Sequence, residues 1–115
     1  MDPSDLFDAM NSGEKVLPLD ARKQIAFDNE HIPGAINLPH REMSAESTKG
    51  LDREILYVVY CDGIGCNAST KGALNMTRLG FKVKELMGGI QWWKLDGYAT
   101  GGTNSSSGDK ISCAC

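Results

Sequence analysis

Ile55-Leu56-Tyr57-Val58-Val59-Tyr60 runs into Cys61-Asp62-Gly63-Ile64-Gly65-Cys66, and Asn67 to Leu79 follows, closed by Gly80. The leading run is apolar and β-branched without polar alternation, which predicts a strand buried on both faces. The two glycines after Cys61 predict a loop, and Asn67 to Leu79 predicts a helix that Gly80 stops. A strand, a loop and a helix in this order put the loop at the carboxyl edge of a parallel sheet, where open α/β folds bind ligands. The free amides at the helix start face that loop, and the helix dipole favours an anion there. A cysteine in such a place is expected to ionise more readily than a free one. Cys61 is therefore the candidate nucleophile.

Working outward, Ser4 is placed to cap a short helix through about Met10, and Asn11-Ser12-Gly13 ends it. Val16 to Leu19 predicts a short strand ending at Asp20, and Arg22 to Phe27 a brief helix or turn. Pro33-Gly34 predicts a turn before a strand in Ala35 to Leu38, and His40 to Arg53 a polar helix with loose ends. Beyond the central helix, Lys82 to Leu86 predicts a strand, and Ile90 to Asp96 a last helix with Trp93 inward and Trp92 partly exposed. Alternating strands and helices predict an α/β fold with a parallel sheet and helices on both faces.

From Ala99 the composition changes. Thr100-Gly101-Gly102-Thr103-Asn104-Ser105-Ser106-Ser107-Gly108 reads as a flexible, low-complexity tether, which divides the chain into a domain at 1–99 and a tail at 100–115. The tail ends in Cys113-Ala114-Cys115. A free tether from Thr100 to Ser112 has a root-mean-square span on the order of 20 Å, enough to bring those cysteines to the Cys61 loop as sulfur acceptors, with a soft-metal pair or an idle tail as the alternatives.

With 115 residues, 41% of them apolar and 23% charged, the chain suits one globular domain. The net charge of −3 and the lack of any basic run argue against nucleic-acid and membrane partners. The acidic start, Met1 to Asp5, has no signal-peptide pattern, so the expected location is the cytoplasm. There four cysteines are expected to be reactive or metal-binding rather than stapled in pairs.

Four pieces in order resemble the rhodanese-like domain of the sulfurtransferases. They are Leu19-Asp20-Ala21-Arg22, then His31-Ile32-Pro33-Gly34-Ala35-Ile36-Asn37-Leu38-Pro39, then Val58-Val59-Tyr60-Cys61, and finally Gly88-Gly89-Ile90 with Trp93 and Gly97-Tyr98. The resemblance covers Val16 to Tyr98. It implies a rhodanese-like doubly wound fold and a persulfide carried on Cys61, with a small-molecule sulfur donor and a thiol acceptor, small or on a protein. No cofactor is implied. The chain departs from the family pattern in a longer loop after Cys61, a second cysteine in it at Cys66, the lack of any Arg or Lys there, and an edge strand before the first helix that is missing or very short.

On this reading Cys61 attacks the outer sulfur of a donor, and an acceptor thiol, or cyanide in an assay, then removes that sulfur. The amides of Gly63, Ile64, Gly65, Cys66 and Asn67 are expected to cradle the anionic persulfide. Asp62 opposes the thiolate, and Arg41 is the nearest compensating cation. Cys66 is either a passive packing residue or a resolving thiol, the latter only if the loop folds back on itself. His31 is expected to serve its turn, Asp20 and Arg22 to tie strand ends together, and Lys71 and Arg78 to form a solvated face. Zinc held by all four cysteines is set aside because their spacing departs from that of zinc fingers. Three rivals remain. A thiol–disulfide switch would use Cys61 and Cys66, and a binding module would use no chemistry. A phosphatase on this fold would need an arginine where Asn67 stands.

Overall fold

The strand that organises the sheet is β3, Leu56–Tyr60, buried from Tyr57 onward. The computed structural model of the chain describes residues 1–111. Cys113 and Cys115, read as sulfur acceptors, a soft-metal pair or an idle tail, lie outside the described residues. On one side of β3 runs β1 (Val16–Asp20), with β2 (Ile36–Asn37) beyond it, and on the other side β4 (Lys82–Glu85). All pairings are parallel, with Leu19 opposite Val59 and Val59 opposite Glu85. Strand alternation sends Val58 and Tyr60 to one face, where they pack with Leu6, Ile90 and Trp93. Tyr57 and Val59 point to the other face and pack with Leu19, Met76 and Phe81. Helices α1 (Pro3–Asn11) and α5 (Gly89–Leu95) cover the first face, and α4 (Ala68–Arg78) covers the second. The expected doubly wound α/β architecture is the observed one.

Several local expectations are corrected. The cap of α1 is Asp2, whose carboxylate accepts from the Asp5 amide at 2.9 Å, while the Ser4 hydroxyl donates to Asp2. Pro3 explains the shift, since its fixed φ suits the first helical position. Helix α2 (Gln24–Asn29) begins later than expected, because the Arg22 amide is held by Asp20 Oδ1. The single helix expected over His40 to Arg53 is a 3-10 turn, His40–Glu42, and a short α3, Ala45–Thr48. Ser44 and Ser47 bond reciprocally to each other's backbone amides, so the chain restarts a helix there. Among the described residues no strand precedes α1. Met1 instead pairs with the end of β4, donating its amine to Glu85 O and accepting from the Met87 amide.

The segment expected to be a free tether is laid against the body. Thr100 and Ser106 amide and carbonyl join across a loop, Ala99 donates to Asp109 O, and Asp109 donates to Gly97 O. His31 and Gly101 exchange backbone hydrogen bonds, and the Thr103 and Asn104 amides donate to Asp28 O and Asn29 O. Gly102, at φ +108°, lies so close to α2 that a Cβ would fall on Asn29 O. Glycine here permits close packing rather than mobility.

Glu30 is the hub of this attachment. Its carboxylate accepts from the Thr100 and Ser106 hydroxyls and from Lys94 Nζ. Burial works against its charge, but the hydrogen bonds from Ser106, Thr100 and Lys94 outweigh it and hold the carboxyl below the ordinary glutamate range. A carboxyl whose pKa is depressed in the folded protein stabilises it fully above the unfolded value and loses that contribution as pH falls through the folded one. The Thr100 and Ser106 amide shifts are therefore expected to titrate with a midpoint below the ordinary glutamate value of 4.5. NMR titration checks this, with Glu30→Gln removing the inflection; an inflection above that value would assign the anchor to another group.

Candidate functional site

Cys61 directly follows β3 and is 2% exposed. Its carbonyl accepts from the Ile90 amide at 3.0 Å, and the next carbonyl, Asp62 O, accepts from the Gln91 amide at 2.9 Å. The start of α5 thus clamps the chain where it leaves the sheet. Gly89 makes this approach possible, at φ +57° and with its α-carbon so placed that a Cβ would overlap the Cys61 carbonyl. That gives a physical reason for the Gly88-Gly89-Ile90 sequence.

Beyond Asp62 the loop folds back. The Cys66 amide donates to Gly63 O at 3.2 Å, closing a turn in which Gly65 takes φ +91°. The turn brings the Cys66 Sγ onto that of Cys61, and the two are joined as a disulfide with their α-carbons 6.3 Å apart. The expectation of unpaired cysteines is corrected for this pair, and the condition set for Cys66 to act on Cys61 is met. Because the Cys66 amide is committed to Gly63, it is not available to the expected cradle. Ile64 is 74% exposed, and Gly63 faces Gln91 of α5.

The disulfide lies in the wall of a cavity of about 420 Å³, lined also by Ala21, Arg22, Lys23, Pro39, His40, Arg41, Glu42, Asp62 and Ala68. Of the residues singled out in the sequence, Cys61, Asp62, Cys66 and Arg41 meet at this cavity, while Gly63, Ile64, Gly65 and Asn67 do not line it. Lys23 and His40 were missed. Their signal was available in the order of the elements, because each follows the carboxyl end of a strand parallel to β3. Burial, then the charges of Arg41 and Lys71, push the His40 imidazole below its ordinary pKa.

Asp62 is not the unopposed negative charge that the sequence suggested. Its carboxylate accepts from Arg22 NH1 at 2.9 Å, and the same guanidinium binds Asp20 and Glu30 O. The Cys61 and Cys66 sulfurs and an Asp62 carboxylate oxygen lie within 4.8 Å of one another, the one such metal-sized cluster among the described residues. In the disulfide neither sulfur is the thiolate that a soft metal requires. His31 has the structural role expected of it, with Nδ1 at 2.7 Å from Phe27 O and its ring stacked on Phe27.

Comparison with known proteins bears on this arrangement. An HTH-type transcriptional regulator of Mycobacterium tuberculosis is 35% identical over 97 residues, 82% of this chain but 41% of the regulator, so the chain spans well under half the length of that relative. A thiosulfate sulfurtransferase of Coxiella burnetii is 36% identical over 77 residues, covering 65% of this chain and 68% of the enzyme. Among solved structures, a Bacillus halodurans protein superposes with a TM-score of 0.89 at 36% identity, covering 95% of this chain and 80% of that one. The rhodanese-like domain from an Anabaena protein gives 0.77 at 27% identity, covering 90% and 79%. The family of rhodanese-like domains matches residues 2–96, a span that takes in the sheet, the clamp from α5 and the Cys61 loop, and the chain belongs to that family.

Proposed function

We propose that the chain is a sulfurtransferase that carries a sulfane sulfur as a persulfide on Cys61. The observation that carries this reading is the place of Cys61, at the carboxyl end of the central strand and in the wall of a cavity lined by Arg22, Lys23 and Arg41 together with Asp62 and Glu42. Once reduced away from Cys66, the Cys61 thiolate attacks the outer sulfur of a donor and the donor's remaining thiolate or sulfite leaves. A thiol acceptor or cyanide then takes the sulfur and restores the thiolate. Lys23 and Arg41 attract the anionic donor, and Arg22 removes the repulsion that Asp62 would exert. The test is intact mass of the reduced Cys66→Ser variant, in which Cys61 has no neighbouring thiol, after exposure to thiosulfate or glutathione persulfide. One added sulfur atom, removed by cyanide, is expected; an unchanged mass rejects sulfur transfer.

Lys23 and Arg41 are both exposed, so each adds little to the binding of a doubly charged donor. A larger donor gains contact throughout the cavity. The kcat/KM for glutathione persulfide is accordingly expected to exceed that for thiosulfate. Arg41→Ala should lower the thiosulfate value by about two- to fivefold, the range of an exposed charge worth under ~1 kcal/mol. Faster turnover of thiosulfate in steady-state assays would reverse this assignment of donors.

The disulfide itself favours a second reading, a thiol–disulfide switch in which Cys61 and Cys66 cycle without taking up sulfur. A wild type that titrates with redox buffer while Cys66→Ser never gains sulfur mass would fit that reading. Loss of all effect of alkylation would leave a binding module.

A further inference from the structure

We propose that Cys66 is a resolving thiol, which makes the reaction a reduction of persulfides to thiol and hydrosulfide at the expense of a dithiol. The inference rests on the Cys61 persulfide of the sulfurtransferase reading and assigns the fate of its sulfur. Three observations carry it. The turn from Gly63 to Cys66, with Gly65 in the left-handed region, directs the Cys66 side chain back onto Cys61 and leaves the two sulfurs bonded. Cys66 is half-buried and lines the same cavity as Cys61, so an entering donor and the second thiol share one space. The Cys66 amide is turned onto Gly63 O, so at this position it is the side chain, not the backbone, that faces the reacting sulfur.

The steps balance as follows. The Cys61 thiolate attacks the outer sulfur of a persulfide RSSH, forming Cys61–S–SH and releasing RS⁻. The Cys66 thiolate then attacks Cys61 Sγ, the inner sulfur. The Sγ–Cys66 bond forms, the bond to the outer sulfur breaks, and that sulfur leaves with the electron pair as HS⁻. Two thiolates have been oxidised to the disulfide, and one sulfane sulfur has been reduced to sulfide. An external dithiol exchanges with the disulfide, becomes a disulfide itself and returns both cysteines to thiols. An attacking Cys66 must reach bonding distance of Cys61 Sγ without a large movement of the loop, and the bonded pair already occupies that geometry. The Arg22–Asp62 pair keeps the loop's carboxylate from facing two successive anions unopposed, the Cys66 thiolate and the departing hydrosulfide.

The experiment is a single turnover of the full chain, reduced, freed of reductant and held without oxygen, with one equivalent of glutathione persulfide. The wild type is expected to release one equivalent of hydrosulfide and to lose two hydrogens in mass, with the Cys61–Cys66 peptide recovered as a disulfide. Cys66→Ser should gain one cyanide-labile sulfur and release hydrosulfide at least tenfold more slowly. Wild-type protein that holds the added sulfur, or that forms its disulfide at another cysteine pair, overturns the role of Cys66 and leaves Cys61 as carrier. Equal hydrosulfide release by Cys66→Ser also overturns it. If neither protein gains or reduces any sulfur, the sulfurtransferase reading fails with it.

Discussion

Cys61→Ser is expected to reduce sulfur uptake to background while the fold persists. The substitution exchanges one sulfur for one oxygen at a position whose backbone carbonyl is clamped by the Ile90 amide whatever the side chain. The Ile90 amide still finds the Cys61-position carbonyl, and Tyr60 and Val59 still fill both faces of the sheet. A serine hydroxyl is not ionised at neutral pH and is a far weaker nucleophile toward sulfur than a thiolate, so it cannot take a donor's sulfur. Stability needs the right reference. Against oxidised wild type the variant should lose on the order of 2 kcal/mol, the value for opening a loop as short as that from Cys61 to Cys66. Against reduced wild type the difference should be under ~1 kcal/mol. Urea melts of both redox states separate the two effects. A variant that folds and still gains a cyanide-labile sulfur would move the carrier to Cys66.

How much of this was legible depended on how local each signal was. The run Leu56–Tyr60 announces a buried strand by composition alone, and Cys61 at its end follows from chain order. The glycines after it signal a loop, but only the hydrogen bond from Cys66 to Gly63 shows that the loop doubles back. Lys23 and His40 reach the cavity through the parallel register of β1 against β3 and of β2 against β1, a relation between segments that periodicity does not encode. The segment after Ala99 misled for a related reason. Its short polar side chains have the composition of a free linker, yet Thr100 and Ser106 find their partner in Glu30, far earlier in the chain. Polar residues that satisfy a distant carboxylate look the same in sequence as polar residues that satisfy water. Ser44 failed differently, because its cap lay inside a segment read as one continuous helix.

Arg22→Met is expected to destabilise the chain by about 3–5 kcal/mol, the range for removing one partner of a buried ion pair. Asp20 is 0% exposed and faces the guanidinium, which donates to it from Nε at 3.0 Å and from NH2 at 2.7 Å. The Arg22 side chain is 9% exposed and so is itself largely out of water. Burial works against its charge, but the hydrogen bonds to Asp20 and Asp62 more than compensate and hold its pKa above the ordinary arginine value. Methionine keeps much of the aliphatic volume, so the loss measured is that of the charge and the fork rather than of packing. It leaves Asp20 buried beside Tyr60, whose phenol burial pushes far above its ordinary pKa and which offers no cation in exchange. For a domain of this size such a loss corresponds to a fall in Tm on the order of 15 °C. Arg22→Lys should recover only part of it, since one ammonium cannot serve Asp20, Asp62 and Glu30 O together. Paired with Asp20→Leu, Arg22→Met should cost less than it does alone, because no buried carboxylate is then stranded. Thermal and urea melts of the single and double variants decide the matter. A single-variant loss under ~1 kcal/mol would mean that water reaches Asp20 readily, and that the β1 and β3 ends are held by their backbone ladder and the Ala21-to-Tyr60 hydrogen bond instead.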